Sequence, residues 1–535
     1  TDEPVVDDQP VVDDEPVVDA GPKYGGTMRI TAWGEPVGWD PAKTMYSQLI
    51  YMRPVASQLL TIDWWKGPQG TGENPMDLPW IAPPDSLQVG DLAESWEITD
   101  HTTVVYNLRE GIMWQDKPGI MEPREFVADD VVHNFERFMA SEVHIFATDP
   151  KHPVSATALD KYTVEIKMNE PSFYQLHTTI PMYFPMVAPE QIEQYGDATD
   201  WRNLTGTGPW MVSDYVVGSA VTYERNDNYW MKDPEGRDLP YLDGLSVMII
   251  PEIQTRLTAL RSGQVDIMQG VTWQAAEELE ETNPELERRS IVNTVVIKLL
   301  LDHKNPPFGP TGDPDALKVR QAANMAIDRQ GIIDGYFQGN AQTVTNCMAP
   351  GLAVAAAVEN LPPEAAQLYE FNPERARELL VEAGYPEGLK VTLATDSTSV
   401  NLADMFTLVK SMWDDVGFDT ELVVGEAASH WGILLSHNWS GAIHAQWGFS
   451  TGPGAWDARD GVVTYFNLAD VQDDELNDIY DALDDEWDGQ ARIDLAADSY
   501  VRANELASEI YMPVDNLYNY WQPWVGGYSG EMGNG

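Results

Sequence analysis

The stretch GTGPWMVSDYVVGSAVTYERNDNYW at residues 206–230 carries the most informative pattern in this 535-residue chain. Its glycines and proline at 206–209 predict a turn, and the loose alternation of apolar and polar residues across 210–215 predicts a strand. Residues 217–219 predict a second turn, and residues 220–225 predict a second strand. The stretch therefore predicts a hairpin, which by itself does not indicate a function.

Two further sequence segments, called phrases here together with the hairpin segment, allow the hairpin to be interpreted. They are GDLAESWEITDHTTVVYN at residues 90–107 and VRQAANMAIDRQGIIDGYFQGN at residues 319–340. In this order and at these distances, the three phrases resemble the family 5 extracellular solute-binding proteins of ABC importers. That family includes receptors for dipeptides, oligopeptides, nickel and oligosaccharides. The resemblance extends from about Tyr24 to Tyr528 and rests on the set of phrases rather than on any one of them.

Helices and strands alternate along much of the chain. Apolar periodicity predicts helices at 128–139, 253–262 and 402–416, and strands at 389–394 and 419–424. Such alternation favours α/β layering. The resemblance implies a more specific fold: a bilobed α/β fold of the periplasmic-binding-protein type (type II, cluster C), with an extra subdomain inserted in the first lobe.

The resemblance also implies a division of the chain. We expect a disordered acidic tether, a discontinuous lobe I, an inserted subdomain of lobe I, and lobe II. The expected ranges are 1–22 for the tether, 23–62 with 203–298 and 511–535 for lobe I, 63–202 for the inserted subdomain, and 299–510 for lobe II. The chain would cross between the lobes near 296–302 and 511–516, where a hinge is expected.

The first 22 residues differ in composition from the rest. PVVDDQ, PVVDDE and PVVDAG follow one another from Pro4, Pro10 and Pro16. Prolines remove backbone donors and the aspartates repel one another, so the segment is expected to be an extended tether. The resemblance implies an extracytoplasmic protein, in the periplasm or on the outer face of the membrane, anchored through a lipidated cysteine before Thr1.

The charge of the chain excludes several classes of partner. Aspartate and glutamate number 86 against 32 lysines and arginines, and the formal net charge is −54. A surface this negative repels phosphate backbones and anionic lipid, so no nucleic-acid partner is expected. No apolar run reaches the roughly 18 residues that a transmembrane helix needs. We expect a monomer.

The sequence contains no catalytic motif of the common kinds. GxSxG, HExxH and a glycine-rich phosphate loop with lysine are all absent. We therefore expect a binding protein without catalysis or cofactor, which hands its solute to an ABC permease in the membrane. The abundant tryptophans and acids also suit a secreted carbohydrate-active hydrolase, which remains the alternative. A receptor-derived chaperone or signalling protein without transport is a third possibility.

Three histidines have a regular spacing. His430, His437 and His444 stand seven residues apart, which can place side chains on one helical face. Gly441 interrupts that helix, and His444 falls in a strand-like run, so the interpretation is that no metal site is formed. A nickel receptor stays open because the family contains such proteins.

Aromatic side chains supply the predicted ligand site. The chain has 19 tryptophans, several of them in stretches rich in turns, and an indole face suits sugar rings, aromatic rings or cations. An aromatic-lined cleft is therefore expected. The predicted wall residues are Trp33, Glu35, Trp39, Trp447 and Trp456. Gln446 is expected to give a directed hydrogen bond, and Asp396 or Asp457 to grip a cationic or hydroxyl group.

The family pattern bears on the ligand through two departures. Dipeptide receptors pair the ligand's amine with an acid that follows a Gly-Trp, and pair its carboxylate with an arginine in a loop of lobe II. Here Trp447 matches, but the next acid is Asp457, and the matching loop at 395–401 has no arginine. These departures favour a neutral or extended solute, either an oligopeptide or an oligosaccharide.

Overall fold

The computed structural model describes residues 21–43, 49–74, 76, 85–142, 151–173, 175–346, 357–397, 400–446 and 467–531. Most of the predicted tether and three predicted ligand residues, Trp447, Trp456 and Asp457, lie outside these ranges. Within the described ranges, no helix combines the length and the apolar character needed to cross a bilayer.

The described strands are numbered in chain order. They are β1 Thr27–Ala32, β2 Leu60–Ile62, β3 Gln88–Gly90, β4 Ala93–Asp100, β5 Thr103–Leu108, β6 Pro153–Ala158, β7 Thr163–Met168, β8 Trp210–Val216, β9 Ala220–Arg225, β10 Gly244–Ile249, β11 Ile267–Thr272, β12 Glu287–Val292, β13 Ile297–Leu301, β14 Ala341–Gln342, β15 Leu389–Asp396, β16 Phe418–Gly425, β17 Ala442–Gln446, β18 Glu509–Tyr511 and β19 Val514–Trp521.

The helices are named by their bounds. The α-helices are Leu49–Met52, Ala128–Met139, Ile180–Met182, Pro189–Tyr195, Ile253–Arg261, Trp273–Thr282, Pro314–Met325, Arg329–Gly331, Pro363–Ala366, Pro373–Glu382, Val400–Val416, Ala427–Leu435, Asp474–Asp485 and Gly489–Glu505. Short 3-10 turns occupy Trp64–Lys66, Asp85–Leu87, Trp201–Asn203, Val358–Asn360 and Gln367–Tyr369, and single π-turns occupy Gln175–Thr179 and Ile332–Tyr336.

The hairpin predicted at 206–230 is confirmed. β8 and β9 pair antiparallel from Trp210 opposite Arg225 to Val216 opposite Ala220. Gly218 in the connecting turn has a φ of 74°, which glycine adopts without the steric cost that a side chain would bring. The hairpin continues into the first large sheet because β9 pairs with β10.

The glycines before β8 allow two backbones to meet. A Cβ atom placed on Gly206 would lie 2.1 Å from the carbonyl oxygen of Val55, so only glycine fits. Gln115 completes the junction: its Nε2 donates to the carbonyl oxygens of Gly208 and Trp210 at 3.1 and 2.8 Å, and its Oε1 accepts from the Gly206 N–H at 3.1 Å. This junction ties the hairpin to the chain on both sides of the predicted insert boundary.

The strands form two large sheets. The first has eight strands in the order β12-β19-β11-β1-β10-β9-β8, with β14 paired to β19. The second has five strands in the order β16-β15-β17-β13-β18. We call the part built on the first sheet lobe I and the part built on the second sheet lobe II. The mixture of helices with partly parallel sheets confirms the predicted α/β layering.

Lobe II has a hydrophobic core on each face of its sheet. One core collects Leu299, Leu393 and Phe406 together with Trp413, and the other collects Leu300 and Ile443 with residues of the C-terminal helices. Trp413 is fully buried, and its Nε1 donates to the carbonyl oxygen of Ala323 at 2.9 Å. Trp413 is therefore a packing residue of this core.

A four-stranded antiparallel sheet, β4-β5-β7-β6, lies within the predicted insert. The helix Ala128–Met139 packs on it through Val131, Phe135 and Phe138, which belong to the same hydrophobic core. That helix has the bounds predicted from its apolar periodicity.

The chain passes between the two large sheets at two adjacent places. β12 ends at Val292 in the first sheet and β13 begins at Ile297 in the second, while β18 ends at Tyr511 and β19 begins at Val514. The two crossings are hydrogen-bonded to each other, since the Met512 N–H donates to the carbonyl oxygen of Ile297 at 2.9 Å. The two connections are short and run in opposite directions, since β12 pairs antiparallel with β19 and β13 pairs antiparallel with β18.

Candidate functional site

The carboxyl end of β1 presents an exposed segment at 33–37. Trp33 and Val37 are 78% and 75% exposed. The backbone beneath Trp33 is held in place, because the Tyr51 hydroxyl donates to the carbonyl oxygen of Gly34 at 2.5 Å. An indole on a fixed backbone can serve as a flat apolar contact for a ligand.

Glu35 holds this segment against the β8–β9 turn. Its carboxylate accepts hydrogen bonds from the Tyr215 hydroxyl and from the Gly218 N–H, both at 2.5 Å. Burial, together with the hydrogen bond to Glu35, raises the pKa of Tyr215 to about 12. The structure thus places Glu35 in a supporting position beside Trp33, with both carboxylate oxygens already engaged. Tyr215 and Gly218, which complete this contact, gave no sign of that role in the sequence.

Trp39 lies deeper in lobe I. It is 4% exposed and packs edge-on against Tyr51 and Tyr215, with ring centroids 6.2 and 5.9 Å away. The structure therefore brings Trp39 into the packing beneath the exposed segment rather than onto the surface that carries Trp33.

β15 and β17 present the corresponding edge of lobe II. They pair in parallel, so their carboxyl ends lie at the same edge of the sheet. Gln446 is the last residue of β17, is half-buried, and pairs with Ile297 of β13. Its position directly precedes residues 447–466, which fall outside the described ranges.

Asp396, the last residue of β15, is fully buried. Its Oδ2 lies 3.9 Å from Nδ1 of His444. His430, on the helix Ala427–Leu435, lies beside β17, which carries His444. The Nε2 atom of His430 is 2.8 Å from the carbonyl oxygen of His444. Burial lowers the pKa of His444 to about 4, a shift that Asp396 opposes and His430 reinforces, so this imidazole is neutral at physiological pH.

The third histidine of the regular series lies elsewhere. His437 Nδ1 is 3.0 Å from Asp470 Oδ2, and the side chain is partly exposed. The seven-residue spacing therefore does not place the three histidines on one helical face. His430 and His444 lie close to Asp396, whereas His437 is outside this cluster.

A separate cavity of about 490 Å³ lies where the predicted insert meets lobe I. The Arg109 guanidinium lies 5.1 Å from the ring centroid of Trp230, and its Nε donates to the carbonyl oxygen of Asp91 at 2.9 Å. Burial raises the pKa of Asp91 to about 6, although the Gln58 N–H and Arg109 oppose the shift. This cavity shares no lining residue with the predicted ligand site.

Comparison with known proteins gives one family. The family model described as "Bacterial extracellular solute-binding proteins, family 5 Middle" matches residues 88–462, well over half of the chain.

Among curated relatives, the chain is 27% identical over 371 residues to heme-binding protein A of Haemophilus influenzae, covering 63% of this chain and 62% of that protein. It is 28% identical over 371 residues to di/tripeptide-binding protein 1 of Pseudomonas aeruginosa, covering 64% of each. The matched region thus spans less than two thirds of the length of these relatives.

Among solved structures, the ABC transporter-associated periplasmic binding protein DppA from Helicobacter pylori, in complex with the peptide STSA, superposes with a TM-score of 0.71. The match covers 95% of this chain and 96% of that chain at 20% sequence identity. At this identity the likeness establishes the fold, and the predicted bilobed α/β fold of the periplasmic-binding-protein type is confirmed.

Proposed function

Because this chain belongs to the bacterial extracellular solute-binding proteins of family 5, we propose that it binds a peptide between lobes I and II and delivers it to an ABC permease. In this proposal the protein acts outside the cytoplasm and releases its ligand chemically unchanged. Family members are binding proteins rather than enzymes.

The observation that carries the proposal is the pair of adjacent crossings between the two sheets. At these crossings, only 293–296 separate β12 from β13, and only 512–513 separate β18 from β19. Small changes in backbone torsion there rotate one lobe against the other, which opens or closes the space between them. A ligand stabilises the closed form to the extent that it contacts both lobes at once.

A peptide is favoured over a sugar by the relatives. One relative is named for binding di- and tripeptides, and one structural neighbour holds the peptide STSA. The expected arginine is missing from 395–401, so a ligand longer than a dipeptide, held through its backbone amides, is proposed. Backbone hydrogen bonding along an extended peptide supplies affinity without a dedicated group for each end.

We assign the ligand contacts to the two exposed edges. Trp33 forms the lobe I contact and Glu35 orients it, while Gln446 donates or accepts a hydrogen bond from lobe II. Trp447, Trp456 and Asp457 extend this wall in the proposal. Trp39 and Asp396 are omitted from it because both side chains are buried.

The test is calorimetric titration of the full chain with peptides of two to nine residues and with neutral oligosaccharides of similar length. The proposal expects 1:1 binding of at least one peptide class, with affinity rising beyond dipeptide length and no heat from the oligosaccharides. Tight binding of an oligosaccharide, with no response to any peptide, would assign the receptor to sugars instead.

The carbohydrate-active hydrolase is separated in the same experiment. After titration, the oligosaccharides are recovered and their chain lengths are measured by mass spectrometry. A receptor returns them intact, whereas shortened chains would contradict the proposed function.

A further inference from the structure

Three side chains that ligate metals meet inside lobe II. Asp396 ends β15, His444 lies on β17, and His430 lies on the helix Ala427–Leu435 that packs against them. One ligand atom from each of the three lies within 4.8 Å of the other two, and all three residues are buried. Among the described residues, this is the one such group of histidine and acidic side chains.

The separations suit a single ion. Zn²⁺ binds imidazole nitrogen and carboxylate oxygen at about 2.0–2.2 Å, so two donors in tetrahedral geometry lie about 3.4 Å apart. His444 Nδ1 and Asp396 Oδ2 are 3.9 Å apart. The widest pair in the cluster needs to close by at most about 1.4 Å to reach that tetrahedral spacing.

His444 supplies an independent reason to expect a ligand. Its side chain is fully buried, and neither ring nitrogen has a hydrogen-bond partner in the described part of the chain. An imidazole carries one donor and one lone pair when neutral, and burying such a group unpaired costs about 1–3 kcal/mol. A metal ion accepts the lone pair and thereby removes part of that cost.

His430 is held in a form that binds metal. The carbonyl oxygen of His444 only accepts, so Nε2 of His430 carries the proton and donates to it at 2.8 Å. The lone pair then lies on Nδ1. A histidine ligand that donates its other N–H to a backbone carbonyl is the usual outer-shell arrangement of metal sites, because the bond fixes the tautomer and the ring.

We propose that Asp396, His430 and His444 bind one divalent transition-metal ion of the Zn²⁺ or Ni²⁺ class. Two imidazoles and one carboxylate suit these ions better than Mg²⁺ or Ca²⁺, which prefer oxygen ligands. The ion joins β15, β17 and the helix Ala427–Leu435 where the first two reach the edge assigned to the ligand. It lies inside lobe II, behind the edge assigned to the ligand, and is distinct from the transported solute.

The test uses the full chain freed of metal by a chelator and then titrated calorimetrically with ZnCl₂, NiCl₂ and MgCl₂. The expected result is one Zn²⁺ or Ni²⁺ ion per chain and no comparable binding of Mg²⁺. Absence of stoichiometric binding by either transition metal overturns the proposal.

Two conservative variants and one matched control locate the ion. Asp396→Asn and His444→Gln should each weaken Zn²⁺ binding more than about 100-fold, because removing a ligand costs more than removing its outer-shell partner. His437→Gln, which changes the histidine paired with Asp470, should bind as the parent does. Unchanged affinity in Asp396→Asn would place the ion elsewhere on this acidic chain and overturn the assignment.

The fold of each variant is checked by its melting temperature without metal. If His444→Gln does not fold, Asp396→Asn decides the question by itself. Peptide binding is measured separately on the metal-free parent. A failure of the metal proposal can then be distinguished from a failure of the proposed receptor function.

Discussion

At the scale of single residues, Lys298 and Glu509 form an ion pair with no access to solvent. The Lys298 Nζ donates to both carboxylate oxygens at 2.9 and 3.1 Å, and the side chains are 0% and 1% exposed. The two residues stand on the neighbouring strands β13 and β18, just beyond the crossings. Their removal from water is compensated only as long as both charges are present.

We predict that Lys298→Met lowers the free energy of unfolding of lobe II by about 3–5 kcal/mol, because it leaves the Glu509 carboxylate buried without a counter-charge. Urea denaturation monitored by tryptophan fluorescence measures the change. Replacing both partners, as Lys298→Met with Glu509→Leu, should recover most of the loss.

The control is Lys390→Met. Lys390 lies 3.7 Å from Asp419, and the two side chains are 89% and 71% exposed. An exposed pair of this kind contributes little, so a change within about 0.5 kcal/mol is expected. Equal losses of unfolding free energy in Lys298→Met and Lys390→Met would show that burial of the ion pair does not determine the loss of stability.

Trp33 gives the prediction for ligand contact. Trp33→Ala should weaken peptide binding about tenfold or more, since tryptophans at the centre of a contact contribute most of its energy. The melting temperature of the empty protein should hardly change, because the side chain is 78% exposed. Calorimetric titration and thermal melting measure the two quantities.

Trp524→Ala is the matched control for Trp33→Ala. Trp524 is 61% exposed, and its Nε1 donates to Asp266, which directly precedes β11. Asp266 accepts from the Arg29 N–H in the middle of β1, so Trp524 is attached to the sheet away from the carboxyl end of β1 that carries Trp33. A loss of affinity in Trp524→Ala equal to that in Trp33→Ala would contradict the assigned contact.

At the scale of elements, the junction before β8 depends on contact between backbones. Gly206→Ala should lower the free energy of unfolding by about 1–3 kcal/mol, because an added methyl group in a tightly packed site forces the backbone to shift. The physical reason is the 2.1 Å approach of the added Cβ atom to the Val55 carbonyl oxygen.

Gly312→Ala is the comparison for Gly206→Ala. A Cβ atom at Gly312 meets nothing within 4 Å. Urea midpoints of the two variants should therefore differ clearly, and a Gly206→Ala midpoint equal to that of Gly312→Ala would contradict the packing at the junction.

The crossings carry a carboxyl group whose ionisation is disfavoured. Asp515 Oδ1 accepts from Asn293 Nδ2 at 2.9 Å, and the Asn293 N–H donates to the Asp515 carbonyl oxygen at 3.0 Å. Burial raises the pKa of Asp515 above its ordinary value, and the hydrogen bond from Asn293 only partly opposes the shift. The native state therefore holds this proton more tightly than the unfolded chain, and stability falls as the pH rises through the native pKa.

We predict that Asp515→Asn melts at a higher temperature than the parent near neutral pH, and that the difference shrinks as the pH is lowered through the raised pKa of the native carboxyl, which then takes up its proton. Asparagine keeps the oxygen that accepts from Asn293, so the hydrogen bond is retained. Melting curves across this range measure the difference, and a gap that widens toward acid would contradict the raised pKa.

Sequence patterns predicted the local elements well. The hairpin at β8 and β9 and the helix Ala128–Met139 follow from alternation and apolar periodicity, which are local properties. The reason for glycine at 206 is not local, because it depends on the backbone at Val55 coming from a distant part of the chain.

The same distinction limits prediction of the site. Asp396 meets His444 only because β15 pairs in parallel with β17, and no spacing in the sequence encodes that pairing. Trp39 was predicted for the ligand wall from its type and its turn-rich neighbourhood. Its burial against Tyr51 and Tyr215 is a tertiary property that one sequence does not display.

At the scale of the whole molecule, two sheets joined by paired crossings form a fold of the periplasmic-binding-protein type, and the family match identifies the chain as a solute-binding protein. The proposed function requires lobes I and II to close on an intact peptide.

The most direct test is to incubate the full chain with a mixed pool of peptides, remove unbound material by gel filtration, denature the protein and identify the released peptides by mass spectrometry. We expect about one retained peptide per chain, unchanged in mass, with longer peptides enriched over dipeptides and markedly less retention by Trp33→Ala. Absence of retained peptide, or recovery of cleaved fragments, would contradict it.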